Sequence, residues 1–227
     1  MNKTKIEWCD LTWNPVTGCK HGCPYCYARK IAERFRGSKA WPAGFSPMFH
    51  ALRLDDLKTA TKPQSIFVCS MADLFGEWVP DSWIEMIFAA IQSERRHTYL
   101  FLTKNPKRYH AIPKTYFSKN VWVGTSVTGI DDLNRIETMQ ELPDYIKTFV
   151  SFEPMLGKFD AIDLLGIDQI IMGAQTKPGI RPEYDGVLTI CEEADDLGAN
   201  VFMKDSIAKW FPDRELRREL AWSVDKK

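Results

Sequence analysis

Short apolar runs alternate with amphipathic stretches along most of this chain, and nothing else in it narrows the fold as much. The runs fall at 66–69, 98–102, 121–124, 147–152, 169–173 and 200–203. They are β-branched or aromatic, and continuous rather than alternating, as strands covered on both faces are. Between them, 81–91 opens on Asp81 and carries apolar residues at helical spacing. Residues 131–142 and 184–197 read the same way, the latter followed by Gly198 as a stop signal. Strand and helix alternating at intervals of roughly thirty residues predict parallel βαβ units with right-handed crossovers. With a further strand near 10–16, six or seven strands fit. The expected fold is therefore α/β, a partial (β/α)6-7 barrel of parallel strands with outer helices. No linker, low-complexity tract or repeat divides residues 1–227, which read as a single domain.

Acidic and basic residues balance at 30 each, so no overall positive field draws in nucleic acid. The first residues lack the apolar stretch of a signal peptide, and no window approaches the ~20 apolar residues of a membrane span. A cytoplasmic location is expected, without a membrane partner. Cysteines there serve more readily as metal ligands or reactive thiols than as disulfide partners.

That context bears on Cys19, Cys23 and Cys26, spaced C-x3-C-x2-C just after the first expected strand and ahead of a helix over 27–35. Three chemistries compete for the segment. Cys23-Pro24-Tyr25-Cys26 is a C-x-x-C before a helix, the form of a thioredoxin-like redox pair and identical to a glutaredoxin tetrapeptide. Against it, Cys19 is left unexplained and no later Thr-Val-Pro turn appears. A structural zinc site can be completed by His21, Cys9 or Cys69, which would make the chain a non-catalytic metal-stabilised binding module. Against it, the chain has no second C-x2-C or H-x3-H knuckle. Third, three thiolates can hold three irons of a four-iron, four-sulfur (4Fe-4S) cluster and leave the fourth iron open to a ligand. Gly18 and Gly22 suit that reading, since they let a loop curl around a bulky cluster. So does the positive end of the following helix, aimed at an anionic group.

In a parallel α/β fold the ligand lies at the carboxyl ends of the strands. The residues just past the apolar runs are small, hydroxyl-bearing or charged: 70–73, 103–105, 125–128, 151–154, 173–175 and 204–206. Helix caps and turns account for part of this.

With its aromatic Tyr25, the C-x3-C-x2-C segment resembles the signature of the radical S-adenosylmethionine superfamily, whose partial barrel matches the alternation above. The segments 12–19, 70–75, 102–106, 124–128, 151–157 and 202–204 resemble a phage-associated branch of uncharacterised proteins, and the Cys-Tyr-Ala ending of the cysteine loop is similar to that of spore photoproduct lyases. The resemblance implies a 4Fe-4S cluster on Cys19, Cys23 and Cys26, with S-adenosyl-L-methionine chelating the open iron. Reductive cleavage to a 5′-deoxyadenosyl radical would then abstract hydrogen from a substrate. An external flavodoxin- or ferredoxin-like electron donor is implied as a partner, and a nucleotide or nucleic acid is a candidate substrate that the net charge does not support.

By the same resemblance Tyr25 packs near the adenine. Ser70 and Asp73 stand where the superfamily has a Gly-Gly-Glu that meets the methionine amino group, a departure that leaves the mode of binding open. Thr125 and Ser126 are candidates for ribose or carboxylate contacts, and Glu153 for ribose or substrate. Lys104 and Lys204, at strand ends, are candidates to bind a substrate carboxylate or phosphate. Cys69 sits where a thiol can return a hydrogen atom to a radical, although packing is the stronger reading for a strand cysteine.

Overall fold

A computed structural model describes residues 1–223. Among these residues the main sheet has eight strands: β1 (Asn2–Lys3), β2 (Leu11–Trp13), β5 (Ser65–Val68), β6 (Thr98–Thr103), β7 (Val121–Ser126), β8 (Lys147–Phe152), β9 (Gln169–Met172) and β10 (Asn200–Met203), in that spatial order. From β2 to β10 every pairing is parallel, and only β1 is antiparallel, at the β2 edge. Two short strands, β3 (Val16–Thr17) and β4 (Met48–Phe49), form a separate antiparallel pair. The expected α/β fold is present, with seven parallel strands.

Two expectations need correction. The strand placed near 10–16 breaks at Pro15, which has no N–H for a ladder, so Val16 and Thr17 leave the main sheet to pair with Met48 and Phe49. The outer helices are also fewer than an alternating pattern implies. They are α1 (Tyr27–Arg34), α2 (Asp81–Ser93), α3 (Asn134–Gln140), α4 (Tyr184–Leu197) and the single turn α5 (Asp205–Ala208). The β6–β7 crossover is made of 3-10 turns at Pro106–Ala111 and Lys114–Tyr116, where Pro106 and Pro113 prevent a longer helix.

Alternate residues of each strand divide between two cores. Ile66, Val68, Phe101, Val123, Val150, Met172 and Val201 pack outward with the buried faces of α2, α3 and α4. Phe67, Leu100, Trp122, Phe149, Ile171 and Phe202 fill the interior of the curved sheet with Trp8 and Trp222. Gly124 is required in that second core, because a Cβ there would lie 2.5 Å from the Phe149 ring.

The open seam of the sheet is closed by the two ends of the described chain. Residues 217–219 run along β10, with Met203 N–H donating to Arg217 O (2.8 Å) and Glu219 N–H to Val201 O (3.0 Å). Trp222 Nε1 donates to Trp8 O at 2.9 Å, and Arg218 reaches Glu7 at 2.8 Å.

Candidate active site

The inner core stops short of the carboxyl ends of the strands and leaves a cavity of about 470 Å³, within the size range of small-molecule sites. Every parallel strand from β5 to β10 contributes to it, through Ser70 and Asp73, Thr103 and Lys104, Ser126, Ser151 and Glu153, Ala174 and Gln175, and Lys204. Cys19, Cys23 and Cys26 line the same cavity, with His21, Tyr25 and Tyr27. A second cavity, at the opposite ends of the strands around Lys147, Asp168 and Asn200, receives none of these groups.

The cysteine loop is held by backbone geometry. Gly18 donates to Met71 O (2.9 Å) and pairs with Ala72, so the loop leaves β3 as a ladder rung against the end of β5. Its φ is +88°, and a Cβ would lie 2.2 Å from the Ser46 carbonyl oxygen, so only glycine fits. Cys23 O accepts from Cys26 N–H, and Cys26 then caps α1, its sulfur accepting from Arg29 N–H at 3.3 Å. Arg29 also donates to Cys19 O at 3.0 Å. Burial, and then the neighbouring Asp73, Cys23 and Cys26, push the Cys19 thiol up to about 11, the backbone N–H of His21 opposing them. Bound metal would remove that proton outright.

Among the described residues no three Cys, His, Asp or Glu side chains converge to hold one metal ion. A cubane bonds each thiolate through a different iron, so its ligands surround a body rather than meet at a point. Cys19, Cys23 and Cys26 all line this one cavity, which supplies the three thiolates such a body takes. Of the extra ligands considered for zinc, His21 lines the cavity but is hydrogen-bonded to Asp73, while Cys9 and Cys69 are off the cavity.

Asp73 anchors the site. It is 5 % exposed, and its two oxygens accept four hydrogen bonds: from Phe75 N–H (3.0 Å), Thr103 Oγ1 (2.7 Å), Lys104 N–H (2.9 Å) and the His21 ring (2.7 Å). Its acceptor capacity is thereby used, which makes it a clamp joining the cysteine loop to β5 and β6. Ser70 Oγ donates to Asn14 Oδ1, and Ser70 O accepts from Tyr27 OH at 2.8 Å. Lys104 Nζ donates to Tyr25 OH; burial works against its charge, but that bond and the nearby Cys23 raise its affinity for the proton overall. Lys204 is paired with Glu153, and Gly173 leaves them room, since a Cβ there would approach the Glu153 carboxyl carbon to 3.0 Å.

Two expected residues lie off the cavity. Thr125 and Ser126 are adjacent in one strand and so face opposite sides of the sheet. Ser126 lines the cavity, while Thr125 is fully buried and donates to Thr103 O at 3.1 Å. Cys69, just beyond β5, belongs to the outer core; burial raises its thiol to about 12, against hydrogen bonding to Val16. Its φ of +61° turns the chain so that Ser70, Ala72 and Asp73 meet the cavity, a conformation that costs about 1–2 kcal/mol in a non-glycine residue.

Two lining residues that the sequence reading gave no role carry polar atoms of note. Ser151 is 1 % exposed and Trp8 2 %, and Ser151 Oγ and Trp8 Nε1 are buried with no hydrogen-bond partner among the described residues. Unpaired buried polar atoms in a cavity wall are what a bound molecule would satisfy. Ser151 was within reach of the strand-end rule. Nothing in the sequence marks Trp8, because its place depends on the seam closing over it.

A family model described as "Protein of unknown function (DUF5131)" matches residues 3–221. A search of curated proteins finds no match. Among solved structures the chain is similar to spore photoproduct lyase complexed with dinucleoside spore photoproduct, with a TM-score of 0.53 and 11 % identity over 86 % of this chain and 64 % of that one. A mutant of that lyase with bound AdoMet and dinucleoside spore photoproduct gives 0.53 and 10 %, again over 86 % and 64 %. A further mutant gives 0.54 and 15 %, over 99 % of this chain and 65 % of that one. The likeness is one of fold, and this chain spans a little under two thirds of the lyase's length.

Proposed function

The chain belongs to the DUF5131 family, and from that footing we propose that it is a radical S-adenosylmethionine enzyme. Cys19, Cys23 and Cys26 would hold a 4Fe-4S cluster, with S-adenosylmethionine and an organic substrate sharing the cavity. One observation carries the reading: the three cysteines stand on the wall of a cavity at the carboxyl ends of parallel strands, among buried polar atoms with no partner among the described residues. The fold likeness to a lyase whose structure holds AdoMet supports it. When bound, the cluster and S-adenosylmethionine supply one-electron cleavage of a carbon–sulfur bond and hydrogen-atom abstraction from the substrate.

The chain's own residues prepare the site. Gly18 and Gly22 curve the loop, and Asp73 ties it to β5 and β6 through His21 and Lys104 N–H. Ile6, Phe67 and Leu102 wall the cavity with apolar surface that would exclude water around a reactive intermediate. Trp8 Nε1 can only donate and so asks for an acceptor, whereas Ser151 Oγ can do either. Because the similar lyase binds a dinucleoside, nucleotides are the first substrate class to try.

Anaerobic reconstitution tests the reading. The protein should take up about four irons and four sulfides per chain, bind S-adenosylmethionine, and release 5′-deoxyadenosine slowly once reduced. Cys23→Ala should lose both cluster and release. A colourless, zinc-only protein that binds no S-adenosylmethionine would sink the assignment.

A further inference from the structure

The cysteine loop leads directly into a helix face that is left about half exposed. α1 buries only Ala28 and Ala32. Tyr27, Ile31 and Phe35, four residues apart in turn, are 52 %, 41 % and 51 % exposed. Lys30 and Arg34, three and seven residues after Tyr27, fall on the same exposed arc. Between positions 20 and 39 the exposed cations are Lys20, Lys30, Arg34, Arg36 and Lys39, against the single acid Glu33, while Arg29 turns away to Cys19 O and the Phe45 ring. Glu33 is itself taken by Arg36 and the Phe45 N–H. In a chain of zero net charge this is a concentrated positive surface around a large apolar stripe. Interfaces are built this way, with an apolar centre and a charged rim that selects an oppositely charged partner. The surface is continuous with the cavity, because Tyr27 and Lys30 line it and Cys26 caps the helix.

Resting on the function proposed above, we propose that this face of α1 docks a small acidic protein that carries electrons one at a time. Its carboxylates meet Lys20, Lys30, Arg34 and Lys39, and the apolar rim of its redox centre packs on Tyr27, Ile31 and Phe35. The carrier's reduced centre loses one electron, the group held by the three cysteines gains it, and no covalent bond changes. The proximity of Cys26 to this face is what makes a redox partner the fitting occupant. A single-stranded nucleic acid is better matched by aromatic rings strung along a basic track. Here the centre of the stripe is the aliphatic Ile31, and the cations crowd about one two-turn helix.

Two double variants test this, Arg34→Glu with Lys39→Glu, and Ile31→Ser with Phe35→Ser, all at exposed positions outside the cavity lining. The probe is flavodoxin in its hydroquinone form. Titration without S-adenosylmethionine should show binding that weakens as salt rises from about 50 to about 500 mM. Each variant should bind at least tenfold more weakly, with iron content and melting temperature unchanged. Release of 5′-deoxyadenosine driven by flavodoxin should fall at least tenfold in both variants. Release driven by dithionite, which needs no docking, should hold. Equal flavodoxin affinity in variants and wild type overturns the proposal, as does a wild type that binds a single-stranded oligonucleotide here and no flavodoxin. Failure of dithionite to drive release in the wild type would instead count against the enzyme reading, and the titration would still judge the surface.

Discussion

Ser151 illustrates how a single buried atom can report on function. Ser151 Oγ is buried with no partner among the described residues, an arrangement that is unfavourable by about 1–3 kcal/mol and that a bound molecule would relieve. Ser151→Ala, recovering about 1 kcal/mol of that penalty, should therefore raise the melting temperature of the ligand-free protein by about 2–4 °C. Under the proposed function it should also weaken binding of S-adenosylhomocysteine about tenfold. Thermal melts and titrations read the two effects separately, and a lowered melting temperature would show that the hydroxyl already has a partner. At this scale the cysteines were legible in the sequence, because ligand chemistry resides in residue type and close spacing. Asp73 was legible as a strand-end carboxylate, but its use was not. Its four donors come from positions 21, 75, 103 and 104, which only the fold brings together.

Among the elements, the cysteine loop and the β3–β4 pair beneath it act together. Gly18 and Gly22 both have positive φ, yet only Gly18 faces backbone where a Cβ would go; Gly22 has nothing within 4 Å. Gly22→Ala should thus lose about 1–2 kcal/mol and still take up the iron of the proposed cluster on reconstitution, whereas Gly18→Ala should displace the loop and take up none, as iron analysis and chemical denaturation would show. His50 follows β4 and shares a hydrogen bond with Thr17 Oγ1 at 2.8 Å. Burial, and then Arg53, lower its proton affinity in the folded protein. The unfolded chain accordingly binds more protons than the folded one below the ordinary histidine pKa of about 6.5, and stability falls as the pH drops through that region. His50→Gln, which cannot titrate, should flatten the stability–pH profile between about pH 6.5 and pH 5, as urea midpoints across that range would reveal. The longer helices were readable because periodicity repeats over several turns; α4 spans the expected 184–197. The 3-10 crossovers were not, because prolines interrupt the period without saying what replaces it.

For the molecule as a whole, the decisive event is closure of the seam. Trp222 packs against Trp122 and Phe149 inside the sheet and donates to Trp8 O. Trp222→Ala should lower stability by about 3–5 kcal/mol through the void it leaves. It should also loosen the Trp8 side of the cavity, reducing ligand affinity as well. Arg218→Ala breaks the ion pairs to Glu7 and Asp205 on the outside of the same seam, where the guanidinium is 40 % exposed, and should change stability by less than about 1 kcal/mol. Denaturation midpoints of the two variants compare core packing with surface charge at one location.

The sequence by itself determined the parallel α/β class, the place of the cysteine triad and the ring of polar strand ends. Each of these rests on local period, residue type or spacing along the chain. Only the tertiary structure decided which strand-end groups share a cavity. It put Ser126 and Ser151 on the inner face and Thr125 outside, drew Cys69 into the outer core, and brought Trp8 to the wall from the far side of the seam. The physical reason is that alternation and burial choose a residue's face only once strands are paired in register and the sheet has curved. Local sequence can supply a ligand set, but a cavity exists only between elements far apart in the chain.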